Sequence, residues 1–539
     1  MASQYILSDL LPLLPLLVLP FLLPLLYLTI ISRRKIIGRS RNERARCAPP
    51  GPPKQLPVLG NLFQIGGRPH RYFQAVAQRY GPVVQVQLGR VRTVVVSSPE
   101  AAKEVLRTND VLCCSRPNSP GKMIRTYQTS GYLHLLSEDA ELRFPGRGLQ
   151  PVQRLLARDA KALQPRAAEH ARVQSAASTR AAKVDCLIDS IANSPPATPI
   201  NLSDKLYTLS DGIVGTVAFR KMYGSAQFER SSFQQVMDET LNVLGSFTFE
   251  DFFPESRLAR WADVVTGAVT KRSIFRKIDG FFDLVIDKHL EPGRLQTGVQ
   301  EDMVDALVKM LREQDDDEAL GLTRDHIKGI LMDTFAGGID TCAVTMIWIM
   351  SELMRNTRVM RKAQAEVRGL VRNKPKVDEE DIKNLKYLKM VIKENFRLHP
   401  PGTLLIPRET MQSCVISGYN VSPGTRLFVN VWAMGRDPGI WDNPEEFYPE
   451  RFEESHVDFK GSNFELLPFG SGRRACPAVA MGVANVELTL ANLLYCFDWE
   501  LPVGMREEDI DMEETGQLVF RKEVPLCLVP IKRAYIGGK

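Results

Sequence analysis

Residues 468–478 read Pro-Phe-Gly-Ser-Gly-Arg-Arg-Ala-Cys-Pro-Ala, and this stretch decides how the rest of the chain is interpreted. Gly470 and Gly472 allow a tight loop whose backbone can approach a flat group closely. Cys476 comes just before residues 479–494, an apolar run that favours a helix. The positive end of that helix and the two preceding arginines would stabilise a thiolate. The stretch therefore predicts an anionic sulfur that binds a metal.

The alternative for Cys476 is ordinary burial, since a free cysteine most often behaves as a small apolar core residue. Against it, Phe469, Gly472, Arg474 and Cys476 have the spacing Phe-x-x-Gly-x-Arg-x-Cys of the cytochrome P450 haem loop. The chain resembles that family from its N-terminal segment to its C-terminus, except in one interval. The resemblance implies that haem b is the cofactor, that Cys476 is the thiolate ligand of its iron, and that the other three residues bind it. Ala478 replaces the family's usual glycine, a change that we expect to be tolerated unless the position needs a positive φ.

The resemblance implies the cytochrome P450 fold, which is mainly α-helical with small β-sheets. Alternating residues at 83–88 and β-branched residues at 93–97 predict a β-hairpin. Ser98 and Thr323 are each placed to cap a helix. Because no low-complexity linker divides the remainder of the chain, residues 61–539 are predicted to form one haem monooxygenase domain.

The composition excludes several classes of protein. The chain has 539 residues, of which 44% are hydrophobic and 24% charged, as in ordinary globular proteins. Residues 33–46, with seven basic side chains and one acidic side chain, account for the whole net charge of +6. No general basic face remains for a nucleic acid. The nine cysteines include no Cys-x-x-Cys pair, which favours a reducing compartment and argues against a disulfide framework or a zinc ribbon.

Residues 10–31 carry no charge and are long enough to cross a bilayer, and membrane helices tolerate their four prolines. The alternative is a cleaved signal peptide, but the basic residues follow the apolar run and no small-x-small site ends it. We therefore predict a single-pass anchor at 1–32 that contacts membrane lipid. The positive-inside rule places the rest of the chain in the cytosol. Residues 33–60 are predicted to form a basic and proline-rich hinge, which plant microsomal P450s also carry and which implies the endoplasmic reticulum.

Residues 133–169 do not resemble the family. They are rich in arginine, alanine and proline, and Phe144 is their single aromatic residue. The resemblance implies a helix here whose tryptophan and arginine hold a haem propionate, yet the first tryptophan of the chain is Trp261. We interpret the interval as the product of a shifted reading frame or a misread splice junction, with a divergent loop as the alternative. Sequencing of the transcript should reveal another frame that encodes Trp-Arg, and a matching transcript would contradict this interpretation.

Residues 337–341 read Gly-Gly-Ile-Asp-Thr within a long apolar helix predicted from Thr323 to about residue 355. Two glycines inside a helix cost about 1 kcal/mol each relative to alanine, so they indicate a kink or bulge that lets a ligand approach the backbone. Asp340 and Thr341 have two interpretations. One is a surface acid beside a threonine that bonds back to the helix. The other, which the P450 resemblance implies, is a catalytic pair that relays protons above the haem.

Glu394 and Arg397 lie three residues apart, on one face of a predicted helix, which by itself is a weak signal. Arg451, in the run Pro-Glu-Arg-Phe, follows at the distance that the P450 family shows. The resemblance implies that the three side chains form a buried structural group, which is costly unless every charge is paired. It also implies that Arg408 contacts a haem propionate.

A thiolate ligand favours cleavage of the O–O bond over reversible binding of O2. Because the chain has no GxGxxG motif after a strand, its electrons must come from another protein, and the resemblance implies NADPH–cytochrome P450 reductase. Residues 404–411 and 512–516 resemble plant P450s that metabolise small aromatic and terpenoid compounds. They are most similar to the grass 4-hydroxyphenylacetaldehyde oxime monooxygenases. The prediction is a haem-thiolate monooxygenase that uses O2 to oxidise a small apolar or aromatic plant metabolite, with an aldoxime as the candidate.

Two alternatives remain open from the sequence. A P450 scaffold that holds haem poorly would agree with Ala478 and with the missing propionate-binding helix. Haem-catalysed dehydration or isomerisation would need no reductase, but the retained Asp340 and Thr341 count against it.

Overall fold

The described part of the chain contains mostly helices. The computed structural model describes residues 48–117, 173–220, 248–291, 301–313 and 323–533 and part of 233–240, without the single positions 54, 55, 57, 255, 267, 373 and 517. The predicted anchor at 1–32 and the atypical interval 133–169 lie outside the described residues. These two predictions therefore stay predictions.

The described ranges contain the following α-helices, four of which are single turns of four residues. They are α1 (Pro69–Tyr80), α2 (Pro99–Lys103), α3 (Asp110–Cys113), α4 (Ala177–Ala192), α5 (Leu202–Phe219), α6 (Phe249–Phe252), α7 (Arg257–Val265), α8 (Ala268–Leu290), α9 (Met303–Glu313), α10 (Arg324–Arg355), α11 (Thr357–Leu370), α12 (Glu379–Ile382), α13 (Lys386–Leu398), α14 (Val431–Met434) and α15 (Val479–Cys496). A π-helical turn, Glu104–Thr108, joins α2 to the segment before α3.

The described strands form four small sheets. They are β1 (Val83–Leu88), β2 (Val91–Val96), β3 (Ile200–Asn201), β4 (Arg408–Glu409), β5 (Cys414–Ile416), β6 (Tyr419–Val421), β7 (Arg426–Val429), β8 (Phe497–Glu500), β9 (Glu514–Gly516), β10 (Phe520–Lys522) and β11 (Cys527–Lys532). The largest sheet has the order β1-β2-β7-β4, in which β2 and β7 are parallel and the other pairs antiparallel. The others have the orders β3-β11-β8, β10-β9 and β5-β6. The predicted hairpin corresponds to β1 and β2.

The long helix α10 lies at the centre of the fold and packs against α5, α13 and α15. The Thr323 hydroxyl accepts a hydrogen bond from the His326 amide (3.2 Å), and His326 Nδ1 accepts one from the Thr323 amide (2.9 Å). This reciprocal cap starts α10 at the predicted residue. Most side chains from residue 342 to the end of the helix are buried, so α10 positions one end of the site from within the core.

Two described helices, α10 and α15, are long and apolar enough to cross a membrane by composition alone. More than half of each apolar window is buried against other parts of the protein. Apolar helices of this kind are also typical of a protein core. We therefore interpret both as core helices, and the predicted anchor at 1–32 gains no support from them.

Glu394 and Arg397 of α13 form a fully buried ion pair with two hydrogen bonds, from Arg397 Nε to Glu394 Oε2 (2.9 Å) and from Arg397 Nη2 to Glu394 Oε1 (2.7 Å). Arg451 Nε donates to the same carboxylate (3.0 Å), as does the Tyr448 amide (2.9 Å). The remaining Arg397 donors reach backbone carbonyls of residues 435, 444 and 446. Each buried charge therefore has partners, which such a group requires.

Glu394→Gln should destabilise the protein strongly, because it leaves two buried guanidinium groups without their counter-charge. Removing one partner of a buried ion pair costs about 3–5 kcal/mol. The expected result is an equally large loss of unfolding free energy in urea, or failure of the variant to accumulate as folded protein. Glu380→Gln is the matched control, because Glu380 forms an exposed pair with Lys383. A Glu394→Gln protein as stable as this control would contradict the assigned role.

Candidate active site

The loop that contains Cys476 is held by hydrogen bonds and by close packing. The Cys476 amide donates to the Phe469 carbonyl (2.9 Å), which closes the loop just before α15. Gly472 has a φ of 74°, and a Cβ added there would collide with the Leu106 carbonyl and lie 2.8 Å from Asp110 Oδ1. Only glycine therefore fits at this position. The Arg473 amide donates to Asp110 Oδ2 (2.9 Å) and ties the loop to α3.

Two further features of this loop are the backbone conformation at Ala478 and the packing of the Phe469 ring. Ala478 has φ −113° and ψ 26°, which an L-residue can adopt, so the departure from the family's glycine is sterically tolerated as expected. The ring of Phe469 packs edge to face against Phe396 of α13, with ring centres 5.1 Å apart. Phe459 completes this aromatic cluster at 5.7 Å from Phe469. The loop is thereby fixed to the helix that carries Glu394.

The glycines of α10 have different environments. An added Cβ at Gly338 would lie 2.9 Å from Val214 Cγ2, so this glycine makes room for α5. An added Cβ at Gly337 would meet nothing within 4 Å, and Gly337 is exposed on a mostly buried helix. The chain remains α-helical through both residues. The predicted kink or bulge does not interrupt the helix: close packing accounts for Gly338, and open space adjoins Gly337.

The face of α10 that contains Gly337 also contains Asp333, Asp340 and Thr341, which are four residues before and three and four residues after it. All four positions keep accessible surface. The Thr341 hydroxyl donates to the Gly337 carbonyl (2.5 Å). The threonine thus bonds back to its own helix, as the first of the two interpretations from the sequence predicted. These residues form a polar stripe beside an open space within the fold.

Cys342 connects this stripe to Cys476. Its sulfur would lie 3.9 Å from a Cβ added at Gly482 of α15, so the two helices touch here. Burial, together with the nearby Cys476 sulfur, raises the pKa of Cys342 to about 11. The stripe and the cysteine loop therefore lie close together, although they are more than 120 residues apart in the sequence.

Three arginines surround the loop, and each is fixed by protein oxygen atoms. Arg408 donates to Asp110 Oδ1 and to the Ser471 carbonyl, at 2.9 Å in each case. Arg474 Nε donates to the Cys114 carbonyl (2.9 Å). Arg116 Nη1 donates to the carbonyls of residues 406 and 407, at 2.9 and 2.8 Å. We call Arg116, Arg408 and Arg474 the arginine cluster.

The arginine cluster has more positive charge than its surroundings neutralise. Burial lowers the pKa of Arg116 to about 9, and the charges of Arg474 and Arg408 lower it further, against the opposing effect of Asp333. A shift of this kind means that the protonated form is disfavoured until an anion binds. The two carboxylates of haem are such anions. The residues around the loop therefore fit haem b: Cys476 would supply the sulfur ligand of the iron, and the arginine cluster would hold the propionates.

Asp333 is the acidic member of this region. Burial raises the pKa of Asp333 to about 6, although Arg116 and Arg474 act in the opposite direction. It forms no hydrogen bond or ion pair with the residues that the structure describes, and although protein atoms surround its carboxyl group, the residue keeps exposed surface. Neither Asp333 nor Arg116 was identified from the sequence, because one acid on a helix and one arginine in a loop carry no recognisable pattern.

The predicted site residues thus fall into two groups. Cys476, Phe469, Gly472, Arg474 and Arg408 lie around one loop, with Asp340 and Thr341 on the stripe beside it. Glu394, Arg397 and Arg451 lie together in the core, behind the ring of Phe396.

Comparisons with known proteins agree with this geometry. The sequence model of the family "Cytochrome P450" matches residues 49–528. The chain is 46% identical to the 4-hydroxyphenylacetaldehyde oxime monooxygenase of Sorghum bicolor, over 95% of both chains. It is 40% identical to the 2-methylbutanal oxime monooxygenase of Manihot esculenta, over 96% of both chains. It is 44% identical to cytochrome P450 71B19 of Arabidopsis thaliana, over 94% of this chain and 97% of that protein.

These similarities cover almost the whole length of each protein, and they confirm the family and the mostly helical fold predicted from the sequence. They give no support to a scaffold that holds haem poorly. The chain belongs to the cytochrome P450 family, and is an oxidoreductase that uses haem b with a cysteine thiolate as the iron ligand, in the manner of its monooxygenase relatives.

Proposed function

We propose that this P450 is an aldoxime-metabolising monooxygenase of plant secondary metabolism. The observation that carries the proposal is the 46% and 40% identity to two oxime monooxygenases over almost the whole chain. Their named substrates share the oxime group, while one carbon skeleton is aromatic and the other aliphatic. An oxime on a small apolar or aromatic skeleton is therefore the substrate class that both relatives support.

The cofactor is held by residues of the loop and of the arginine cluster. Cys476 supplies the sulfur ligand, and the start of α15 stabilises its negative charge. Arg116, Arg408 and Arg474 would hold the propionates through charge-assisted hydrogen bonds. Phe469 and Gly472 set the loop's position against α13 and α3. When bound, haem supplies the activation of O2 and the transfer of one oxygen atom to the substrate.

Asp340 and Thr341 hold and move the protons that O2 reduction consumes. The Thr341 hydroxyl donates to the Gly337 carbonyl, so its oxygen lone pairs remain able to accept a hydrogen bond from water. Asp340 is half-buried beside it and can exchange protons with solvent. This arrangement supports a relay in which the hydroxyl orients water next to the open space at Gly337.

Asp333 supports a substrate that carries a hydroxyl group. It lies eight residues before Thr341, which corresponds to about 12 Å along the helix axis. Its carboxyl group adjoins Arg116 but is not used by it as a hydrogen-bond acceptor. An oxime or phenol hydroxyl could donate a hydrogen bond to this carboxyl group, which faces accessible space.

The electron donor is a separate protein, which we propose to be NADPH–cytochrome P450 reductase at the endoplasmic reticulum membrane. The exposed apolar side chains of α7 support attachment to lipid: Leu258 and Trp261 are 78% and 66% exposed, and Val265 follows on the same face. Residues 10–31 would anchor the chain with its haem domain in the cytosol.

Protease should then cut the haem domain in intact microsomes, and its protection there would contradict this topology.

The substrate prediction is tested with the purified full chain, the reductase and phospholipid. Both 4-hydroxyphenylacetaldehyde oxime and 2-methylbutanal oxime should be consumed only when NADPH and O2 are present, and the matching aldehydes serve as controls that lack the oxime. If a preparation with an intact thiolate spectrum consumes neither oxime, the substrate class is wrong.

In the same assay, Thr341→Ala should bind substrate normally but yield several-fold less product per NADPH, with the difference recovered as peroxide. Full coupling in this variant would exclude the proton role of Thr341.

Arg116→Gln should weaken haem retention, because it removes one positive charge from the arginine cluster. A lost charge-assisted hydrogen bond is worth about 1.5–3 kcal/mol, which corresponds to roughly 10- to 100-fold faster haem loss. Transfer of haem to apomyoglobin measures this rate. Arg107→Gln is the matched control, because Arg107 is exposed in the same segment. Equal rates for the two variants would remove Arg116 from the haem site.

A further inference from the structure

Two cysteines that are far apart in the sequence meet beside the arginine cluster. Cys113, the last residue of α3, and Cys414, the first residue of β5, have their sulfur atoms 3.8 Å apart. The two residues are 301 positions apart, and both are buried, with 0% and 6% of their surface exposed. Both are free thiols. Neither belongs to the haem loop or to the polar stripe of α10.

Hydrogen bonds hold the backbones on both sides of this cysteine pair. They run from the Met411 amide to the Leu112 carbonyl (2.9 Å), from the Glu409 amide to the Ser115 carbonyl (2.8 Å), and from Asn109 Nδ2 to the Val415 carbonyl (2.9 Å). The two segments therefore keep a fixed register at the sulfurs. A bond between the sulfurs needs a rotation of side chains and a small approach, and the segments need not separate first.

The two thiols differ in acidity. The hydrogen bond between them, together with burial, raises the pKa of Cys113, whereas the same hydrogen bond lowers the pKa of Cys414. Either sulfur can donate in this contact, and the lowered pKa of Cys414 favours a thiolate there. One thiolate beside one thiol is the arrangement from which an oxidant produces a disulfide.

We propose that Cys113 and Cys414 are a modification site at which hydrogen peroxide creates a disulfide between α3 and β5. The Cys414 thiolate attacks one oxygen of the peroxide, which forms an S–O bond, breaks the O–O bond and releases hydroxide. The sulfur of Cys113, losing its proton, then attacks the sulfur of the sulfenic acid and displaces its hydroxyl group. In total the two thiols lose two electrons and two protons, and one peroxide becomes two molecules of water.

The disulfide would act on the arginine cluster through the segment that carries Cys113. Asp110, three residues earlier, accepts a hydrogen bond from Arg408, and the carbonyl of Cys114 accepts one from Arg474. Arg116 lies three residues after Cys113. A covalent link from Cys113 to Cys414 restrains this segment against β5, so it limits the local opening that precedes release of a bound anion.

The first experiment measures the bond itself in the purified full chain. Treatment with hydrogen peroxide should lower the number of titratable thiols by two and yield a linked peptide that contains Cys113 and Cys414, and dithiothreitol should reverse both changes. Cys414→Ser should abolish the linked peptide. Cys527→Ser is the matched control, because Cys527 is exposed on β11, and this variant should still form it.

The proposal is overturned if Cys113 and Cys414 stay reduced at a peroxide concentration that oxidises Cys527, or if Cys113 links to Cys114 instead. A second measurement tests the effect on the arginine cluster. Haem transfer to apomyoglobin should be several-fold slower from the disulfide form than from the reduced form, and Cys414→Ser should show no such redox dependence. Equal rates for the two forms would contradict the proposed effect on the arginine cluster.

Discussion

The burial of charge around one loop is the constraint on which the site depends. A cysteine sulfur lies just before α15, and three guanidinium groups lie around it with few acidic neighbours. The carboxylate of Asp110 connects one of these groups to the loop, because it accepts hydrogen bonds from Arg408 and from the amide of Arg473. Burial and the neighbouring charges still lower the pKa of Arg116 to about 9. A ligand with two carboxylates would neutralise this excess of buried positive charge. The loop, α3 and the arginine cluster therefore form one anion-binding unit.

The position of that unit follows from packing in the core. Phe469 fixes the loop to α13 through Phe396, and α13 is itself held by the buried group of Glu394 and two arginines. On the other side, Gly338 lets α10 pack closely against Val214 of α5, while Gly337 leaves open space beside Thr341. The polar stripe thus adjoins open space at Gly337, and Cys342, the residue after Thr341, brings this part of α10 close to α15. This geometry suits oxygen chemistry with protons delivered from the protein.

The parts of the structure that could be predicted from the sequence are those with local causes. Thr323 and Ser98 cap helices through hydrogen bonds to residues three positions later, and the β1–β2 hairpin follows from short-range alternation. The spacing from Phe469 to Cys476 indicates the family because the loop is short and a positive φ or a close contact requires glycine at its glycine positions. The helix is continuous at Gly337 and Gly338, and the reason for Gly338 is Val214, a residue more than 120 positions away, which no local pattern indicates. Arg116, Asp333 and the contact between Cys113 and Cys414 depend on tertiary structure alone, so no pattern in the sequence indicates them.

We propose that Cys476 supplies the thiolate of a functional haem site. The most direct measurement is the absorption difference spectrum of the dithionite-reduced protein with carbon monoxide, recorded for the unmodified chain and for Cys476→Ser. We expect the red-shifted Soret band of a thiolate-ligated ferrous carbonyl complex in the unmodified chain. We also expect the loss of that band in Cys476→Ser. A thiolate-type band of the same position and intensity in the serine variant would contradict the assignment of Cys476.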